Sequence, residues 1–180
     1  LEFRRVLFRS RPLERELPGG MSLPDGFRNP RVCLPGVVAV EGPRIEPRPT
    51  LEAAHDDAIW AGTATAAWAA DVERFTRAIG PEHPLRGWPL VVIVDDSDFA
   101  AATLENFLWL TFTRSNPAAD VHGVEAAVHQ KHWGCRGPLV IDARLKPHHA
   151  PPVEEDPAVS ARVDDLCRRG GPLAGILGRA

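Results

Sequence analysis

Three acids close a short apolar run: Leu90-Val91-Val92-Ile93-Val94 is followed at once by Asp95, Asp96 and, one residue on, Asp98. Carboxylates this close together could bind a metal ion or polarise a ligand at the end of the strand. The competing reading is structural. One acid caps the turn or helix after the strand, and another pairs with a nearby arginine, for which Arg114 is the candidate; this is the reading adopted. A second set of chemically able side chains comprises His122, His129, His132, Cys135, His148 and His149. The His132-x-x-Cys135 spacing suits zinc, but a structural zinc site needs two close pairs and only one is present, so no metal is assigned. Cys135 as a nucleophile would need an activating base and a third group to orient it, and no third group is identified.

The elements around these residues follow from periodicity. Leu90–Val94 is too short and too uniformly apolar for a helix and reads as a strand buried on both faces, the signature of a parallel sheet. Its acids then stand at the carboxyl end of a buried strand, where open α/β sheets place their ligand crevices. Leu104, Phe107, Leu108 and Phe112 recur at helical spacing, with Thr103 as N-cap and Asn116-Pro117 as the stop. Leu139–Ile141 is a second apolar run that ends on Asp142, so strand, helix, loop and strand make a βαβ unit. Upstream, Trp68, Val72, Phe75 and Ile79 mark a helix closed by Gly80-Pro81, while Leu51–Trp60 is a separate turn or helix. Asp156, Pro157 and the stripe Val159, Val163 and Leu166 define a last, well-capped helix. The expected fold class is α/β: a small parallel-sheet βαβ domain with flanking helices over residues 50–180, behind an irregular lead-in over 11–49 with one strand near Val37.

From Trp88 to about Gly170 the chain resembles the carboxy-terminal domain of the UbiD-like, prenylated-FMN-dependent decarboxylases. The resemblance rests on Val94-Asp95-Asp96-Ser97-Asp98, Leu108-Trp109, Thr113-Arg114, Pro117, Asp120 and Asp142-Ala143, which stand in the family's order and spacing. It implies a carboxy-lyase acting reversibly on an aromatic or α,β-unsaturated carboxylic acid. The intact enzyme would use prenylated FMN with a divalent metal and potassium and would be a homo-oligomer; separately, cysteines without paired spacing suit a reducing cytoplasm, and two lysines against 19 arginines suggest a GC-rich bacterial genome. In this family the acid cluster and the other matched residues (Asp95, Asp96, Asp98, Trp109, Arg114, Pro117, Asp120, Asp142) are structural. The stretch between the Thr-Arg motif and the Asp-Ala strand lines the substrate side of the flavin pocket. By that position His132, Trp133 and Arg136 are the substrate-cleft candidates, expected at the carboxyl-end side of the sheet near Asp95 and Asp96 and partly exposed. The family also places a lysine before the acid-tipped strand, against the flavin phosphate; here Arg86 is the cation in that stretch.

The resemblance leaves out the family's chemistry. Its proton-transferring arginine and paired glutamates, and its metal site, belong to parts upstream of the matched domain. Val40-Glu41-Gly42 is similar to the end of the family's ExxxEG motif, but Val37 takes the place of the first glutamate and too few residues separate Glu41 from Val94. No catalytic residue is therefore assigned. The chain is expected to supply one wall of the substrate cleft together with packing or dimer contacts, to bind no cofactor alone and to be inactive alone. The alternative is a stand-alone, non-catalytic α/β module for assembly or small-ligand binding; a thiol- or metal-dependent hydrolase built on His132 and Cys135 ranks below both.

Residues 1–10, Leu-Glu-Phe-Arg-Arg-Val-Leu-Phe-Arg-Ser, are what a common sequencing-adapter oligonucleotide encodes, so they are set aside from folding arguments. The expectation is a truncated gene whose natural start is Met21 or lies upstream. The full chain has 21 basic and 24 acidic side chains; without the adapter stretch 18 oppose 23, a formal charge of −5 instead of −3. A mildly acidic surface argues against nucleic-acid partners, and no apolar run approaches the ~20 residues of a membrane span. Cys33, Cys135 and Cys167 lack paired spacing and read as free thiols.

Overall fold

A computed structural model describes residues 12–46, 66–150, 156–168 and 170–174. The adapter-like stretch, Leu51–Trp60 and the end of the tail beyond Ala174 lie outside the described residues. The chain divides into two units, residues 1–150 and 151–180.

In the first unit, burial on both faces places the Val-Ile run at the middle of a sheet. Strand β3 (Leu90–Val94) is flanked by β2 (Val37–Glu41) and β7 (Leu139–Asp142), both parallel to it, Leu90 pairing with Val37 on one side and Leu139 on the other. Antiparallel strands β1 (Arg28–Leu34) and β4 (Val121–Gly123) form the edges, giving the order β1-β2-β3-β7-β4. Alternate residues sort to the two faces, as the period-2 geometry of a strand demands. Val38, Val40, Val91, Ile93 and Val140 pack with Val72 and Phe75 of helix α1 (Ala66–Ala78), with Ile79 just beyond it, and with Phe27, Leu85 and Trp88. Ala39, Val92 and Val94 pack on the other face with Ala100 of α2 (Ser97–Ala102) and Phe107 and Leu110 of α3 (Leu104–Thr113). The expected parallel pairing of Leu90–Val94 with Leu139–Ile141 and the helix from Leu104 to Thr113, capped by Thr103, are both observed.

Three expectations need correction. The strand expected near Val37 is β2, but the lead-in over 11–49 also holds a second strand of the main sheet, β1. β1 is obscured in the sequence by Pro30 and two arginines. It tolerates them because it is an edge strand, where a proline forfeits no ladder bond that the sheet requires, and its pairing with β2 is interrupted by register shifts. A domain boundary at 49/50 would separate β2 from β3, paired strands of one sheet; the division falls after Ala150 instead. The Val121–Arg136 stretch is not a plain loop either. It contributes β4 and then a two-stranded ribbon, β5 (Ala127–His129) and β6 (His132–Gly134), turned at Gln130-Lys131 with positive φ at both residues. Short strands without a β-branched run leave little periodic signal.

The second unit contains α4 (Pro157–Cys167), whose amino end is capped by the Asp156 carboxylate accepting from the Ala158 N–H at 2.8 Å. Its apolar residues Val159, Val163 and Leu166 are exposed. No helix among the described residues is long and apolar enough to cross a membrane.

Close packing at the end of β2 yields a test. A methyl group on Gly42 would lie 2.6 Å from Ile93 Cγ2 and 3.0 Å from Arg144 Cδ. Gly42→Ala is expected to cost about 1–3 kcal/mol, read as a fall in Tm of roughly 2–10 °C. An unchanged thermal unfolding curve would show that Gly42 is not packed this tightly.

Candidate functional site at the carboxyl ends of the parallel strands

From the end of β7 the chain runs Asp142-Ala143-Arg144-Leu145-Lys146, and every one of these residues is buried. Burying alternating charges so close together costs several kcal/mol per ion unless each is paired and hydrogen-bonded. Arg144 meets that condition in full. Its Nε and Nη2 donate to the two carboxylate oxygens of Asp142, both at 2.9 Å. Nη1 donates to Asp71 Oδ2 at 3.0 Å and to the Pro43 carbonyl at 2.8 Å, and Nη2 also donates to the Trp68 carbonyl at 3.0 Å. All five guanidinium N–H groups thus have an acceptor. Burial opposes its charge, but Asp142 and Asp71 more than offset that and raise its pKa above the ordinary arginine value. One side chain so ties β7 to α1 and to the exit of β2.

Lys146 repeats the arrangement two residues on. Its Nζ, on a side chain 1 % exposed, donates to the carbonyls of Asp142 at 2.9 Å and Arg114 at 3.2 Å, and lies 3.2 Å from Asp120 Oδ2. Asp120 in turn accepts from the Asn116 N–H at 2.7 Å, closing the turn that contains Pro117. The end of α3 and the start of β4 are both fixed this way. Asp95 Oδ2 accepts from the Leu145 N–H at 2.6 Å and lies 3.4 Å from Arg114 Nη1. The Arg114 guanidinium stands 5.3 Å from the centre of the Trp109 ring, which also meets the Phe99 ring at 6.2 Å.

The acids after β3 therefore divide their work. Asp95 pairs with Arg114, and Asp96 caps α2 by accepting from the Phe99 N–H at 2.9 Å. Asp98 accepts from Arg31 Nε at 2.5 Å and Asn29 Nδ2 at 2.8 Å, and these two bonds hold its carboxyl below the usual carboxylate range. Glu41, at the end of β2, joins them. Against burial, which raises its pKa, the Asn29 amide, the Ser97 N–H and the Arg28 guanidinium hold it low. Oxygens of Glu41, Asp96 and Asp98 approach within 4.8 Å of one another, a spacing open to a cation. Arg28, Arg31 and Asn29 already supply their counter-charges and donors.

The residues assigned to the cleft lie elsewhere. His132 and Trp133 belong to β6 of the ribbon and Arg136 comes just after it, its N–H bonded to the Val124 carbonyl. All three are exposed. Trp133 and Cys135 approach Gly123, which pairs with Leu139 at the start of β7. That is the amino end of the parallel strands, so the expected nearness to Asp95 and Asp96 does not hold. Arg86, in the turn before β3, is at this same end and donates to Glu125 at 2.8 Å. A phosphate there would meet that carboxylate, so Arg86 does not fit a flavin-phosphate contact and no chemical step is derived through the cofactor.

Sequence reasoning missed Arg144 and Asp71, and it set Glu41 aside. The available signal was charge at alternate positions directly after a buried strand, in Asp142-x-Arg144-x-Lys146. His149, grouped by sequence with possible metal ligands, instead accepts from the Lys146 N–H at 3.1 Å through Nδ1. Burial first, then the Lys146 charge and the charges of His148 and Arg114, push its pKa down to about 4. His148 is lowered also, by burial and Lys146.

Breaking the network should be costly. Arg144→Met is expected to lower stability by about 3–5 kcal/mol, since Asp142 keeps a buried charge without its cation. Arg77→Ala, on an exposed i,i+4 pair with Glu73, should cost no more than about 1 kcal/mol; urea unfolding compares them. For pH, a histidine whose folded pKa lies below its unfolded value of about 6.5 adds stability that is complete above that value. It is lost as pH falls toward the folded pKa of about 4. Stability should therefore decline between these limits, and His149→Gln should flatten the decline; an unchanged slope would contradict the assignment.

No family model and no solved structure matches the chain. Among curated proteins, a 4-hydroxybenzoate decarboxylase subunit of Chlamydia pneumoniae is 37% identical over 86 residues, 46% of this chain and 14% of that protein. An uncharacterized protein of Chlamydia trachomatis serovar D is 36% identical over 81 residues, 45% of this chain and 14% of its own length. A further uncharacterized protein, of Chlamydia muridarum, is 39% identical over 75 residues, covering 42% of this chain and 13% of that protein. The chain thus matches about one seventh of each of these relatives, one of which is named as a decarboxylase subunit.

Proposed function

We propose that this chain is the carboxy-terminal part of a UbiD-like carboxy-lyase that reversibly decarboxylates an aromatic or α,β-unsaturated carboxylic acid. One observation carries the reading. Asp95, Trp109, Arg114, Asp120 and Asp142, on which the family resemblance rests, converge on a single bonded network around Arg144 and Lys146. Residues scattered along β3, α3 and β7 thus have one physical reason to occur together. The decarboxylase name of the Chlamydia pneumoniae relative points the same way.

In the intact protein, prenylated FMN with a divalent metal and potassium would supply the electron sink and its anchoring. Those groups would be held by parts beyond the matched stretch, since Arg86 does not fit the phosphate. This part would contribute packing or dimer contacts within a cytoplasmic, bacterial homo-oligomer, and a cleft wall through the ribbon residues His132, Trp133 and Arg136. The outer side of α3 supports the packing role: Leu104, Leu108, Trp109 and Phe112 are all more than two-fifths exposed, beside Phe99. Contiguous apolar surface of this kind marks interaction sites on soluble domains.

A chimera tests the reading. Residues 88–170 replace the matching segment of the Chlamydia pneumoniae decarboxylase subunit, and CO2 release from 4-hydroxybenzoate is measured. Retained turnover is expected; a folded, cofactor-loaded chimera without turnover would contradict the assignment. The 180-residue chain alone, supplied with prenylated FMN, is expected to release no CO2 above a heat-killed control, and steady release would overturn its placement outside the catalytic part.

A further inference from the structure

The sheet has a topological switch point. β2 and β3 are neighbouring parallel strands, yet the chain that leaves β2 returns through α1 on one face, whereas the chain that leaves β3 enters α2 and α3 on the other. When adjacent connections part to opposite faces, a crevice opens outside the carboxyl ends of the two strands, and open α/β proteins bind ligands there. In this structure a cavity of ≈ 290 Å³ occupies that place, lined by Arg28, Gly42, Arg44 and Asp95. Fold and cavity are independent observations, and they coincide.

We infer that this crevice binds a small oxyanion, a carboxylate or phosphate, on Arg28 and Arg44. Among the described residues the lining is cationic and polar, with no aromatic side chain. Arg28 commits its Nε to Glu41 at 2.9 Å and keeps the donors of its two terminal amino groups. Arg44 stands 3.8 Å from Glu46, beyond hydrogen-bond distance, and no other described residue engages it. The Asp95 charge is countered by the Leu145 N–H and Arg114, whereas Glu41 and Glu46 each approach one of the two arginines through Nε alone, so an anion would bind on the terminal amino groups of both in competition with these carboxylates. Guanidinium groups meet carboxylates and phosphates with paired, charge-assisted hydrogen bonds. At the lower limit of ligand-pocket volumes, ~300 Å³, the crevice suits a compact molecule. A hydroxyl next to the anionic group would have Asp95 as a further acceptor. This inference does not depend on the carboxy-lyase reading, for the crevice lies within residues 28–95 and uses none of the proposed cleft residues.

The test is an amide NMR titration of the 180-residue chain with glycolate and, separately, with inorganic phosphate. Saturable shifts confined to Arg28, Gly42, Arg44 and Asp95 are expected with at least one of them, and which probe binds tells a carboxylate site from a phosphate site. Arg44→Gln, an exposed side chain outside the bonded network, should keep the spectrum of the fold and weaken binding about tenfold or more; Arg28→Gln, which also removes the Glu41 partner, should weaken binding as well. No saturable shift with either probe at millimolar concentration would overturn the inference. So would shifts that persist in the Arg28→Gln/Arg44→Gln double variant, which would mark nonspecific binding.

Discussion

A fully buried guanidinium has few tolerable positions, and Arg144 occupies one of them. Its five donors reach two carboxylates and two backbone carbonyls from three parts of the chain, the end of β7, the start of α1 and the exit of β2. A lysine could not substitute, because three rotatable donors on a point charge do not match the bidentate fork of Asp142. The main sheet can therefore end β7 on acid and base without opening the core. Leu145 and Lys146, next in the chain, are placed by that anchor, and through Asp95, Arg114 and Asp120 they hold the ends of β3 and α3. The polar network sits at the carboxyl ends of the strands while the apolar layers fill the space between sheet and helices.

Much of the fold was legible because its elements carry their signals locally. Val91–Val94 has no polar face, Thr103 and Asp156 are helix caps in fact as in sequence, Trp68, Val72 and Phe75 lie on the buried side of α1, and Ile79 is buried just after it. β1, β4 and the ribbon were illegible for the opposite reason: β1 is broken up by Pro30 and two arginines, the others are three residues each, and all owe their conformation to a neighbour instead of to their own pattern. Of the site, a helix cap and an Arg114 pair among the acids after β3 were readable from cap and pair chemistry, whereas the contacts of Asp98 with Arg31 and Asn29 were not. The placement of His132, Trp133 and Arg136 was not, since the turn at Gln130-Lys131 and the pairing of β4 with β7 direct that stretch to the amino end. Tertiary pairing of this sort has no local signature.

The two ends of the sheet thus differ in character. The carboxyl end joins a rigid charged network to an open polar crevice at the switch point between β2 and β3. The amino end carries the exposed ribbon, with Val128 paired to Trp133, and the Arg86–Glu125 pair. Between them, the outer side of α3 presents apolar residues with Trp109 held against Phe99 and Arg114, an ordered aromatic of the kind that anchors interfaces.

Residues 142–146 are either a structural keystone or an ordinary loop after a strand, and the role of the charged network turns on which. Native-state hydrogen exchange addresses this directly, because protection reports the free energy needed to open each segment. The amides of Ala143, Arg144 and Leu145 donate to Ile93 O, Asp142 Oδ1 and Asp95 Oδ2 respectively. They should exchange as slowly as the centre of β3 and lose protection together with it in Arg144→Met. Exchange at the rate of an exposed loop, while β3 remains protected, would contradict the claim that this network holds the domain together.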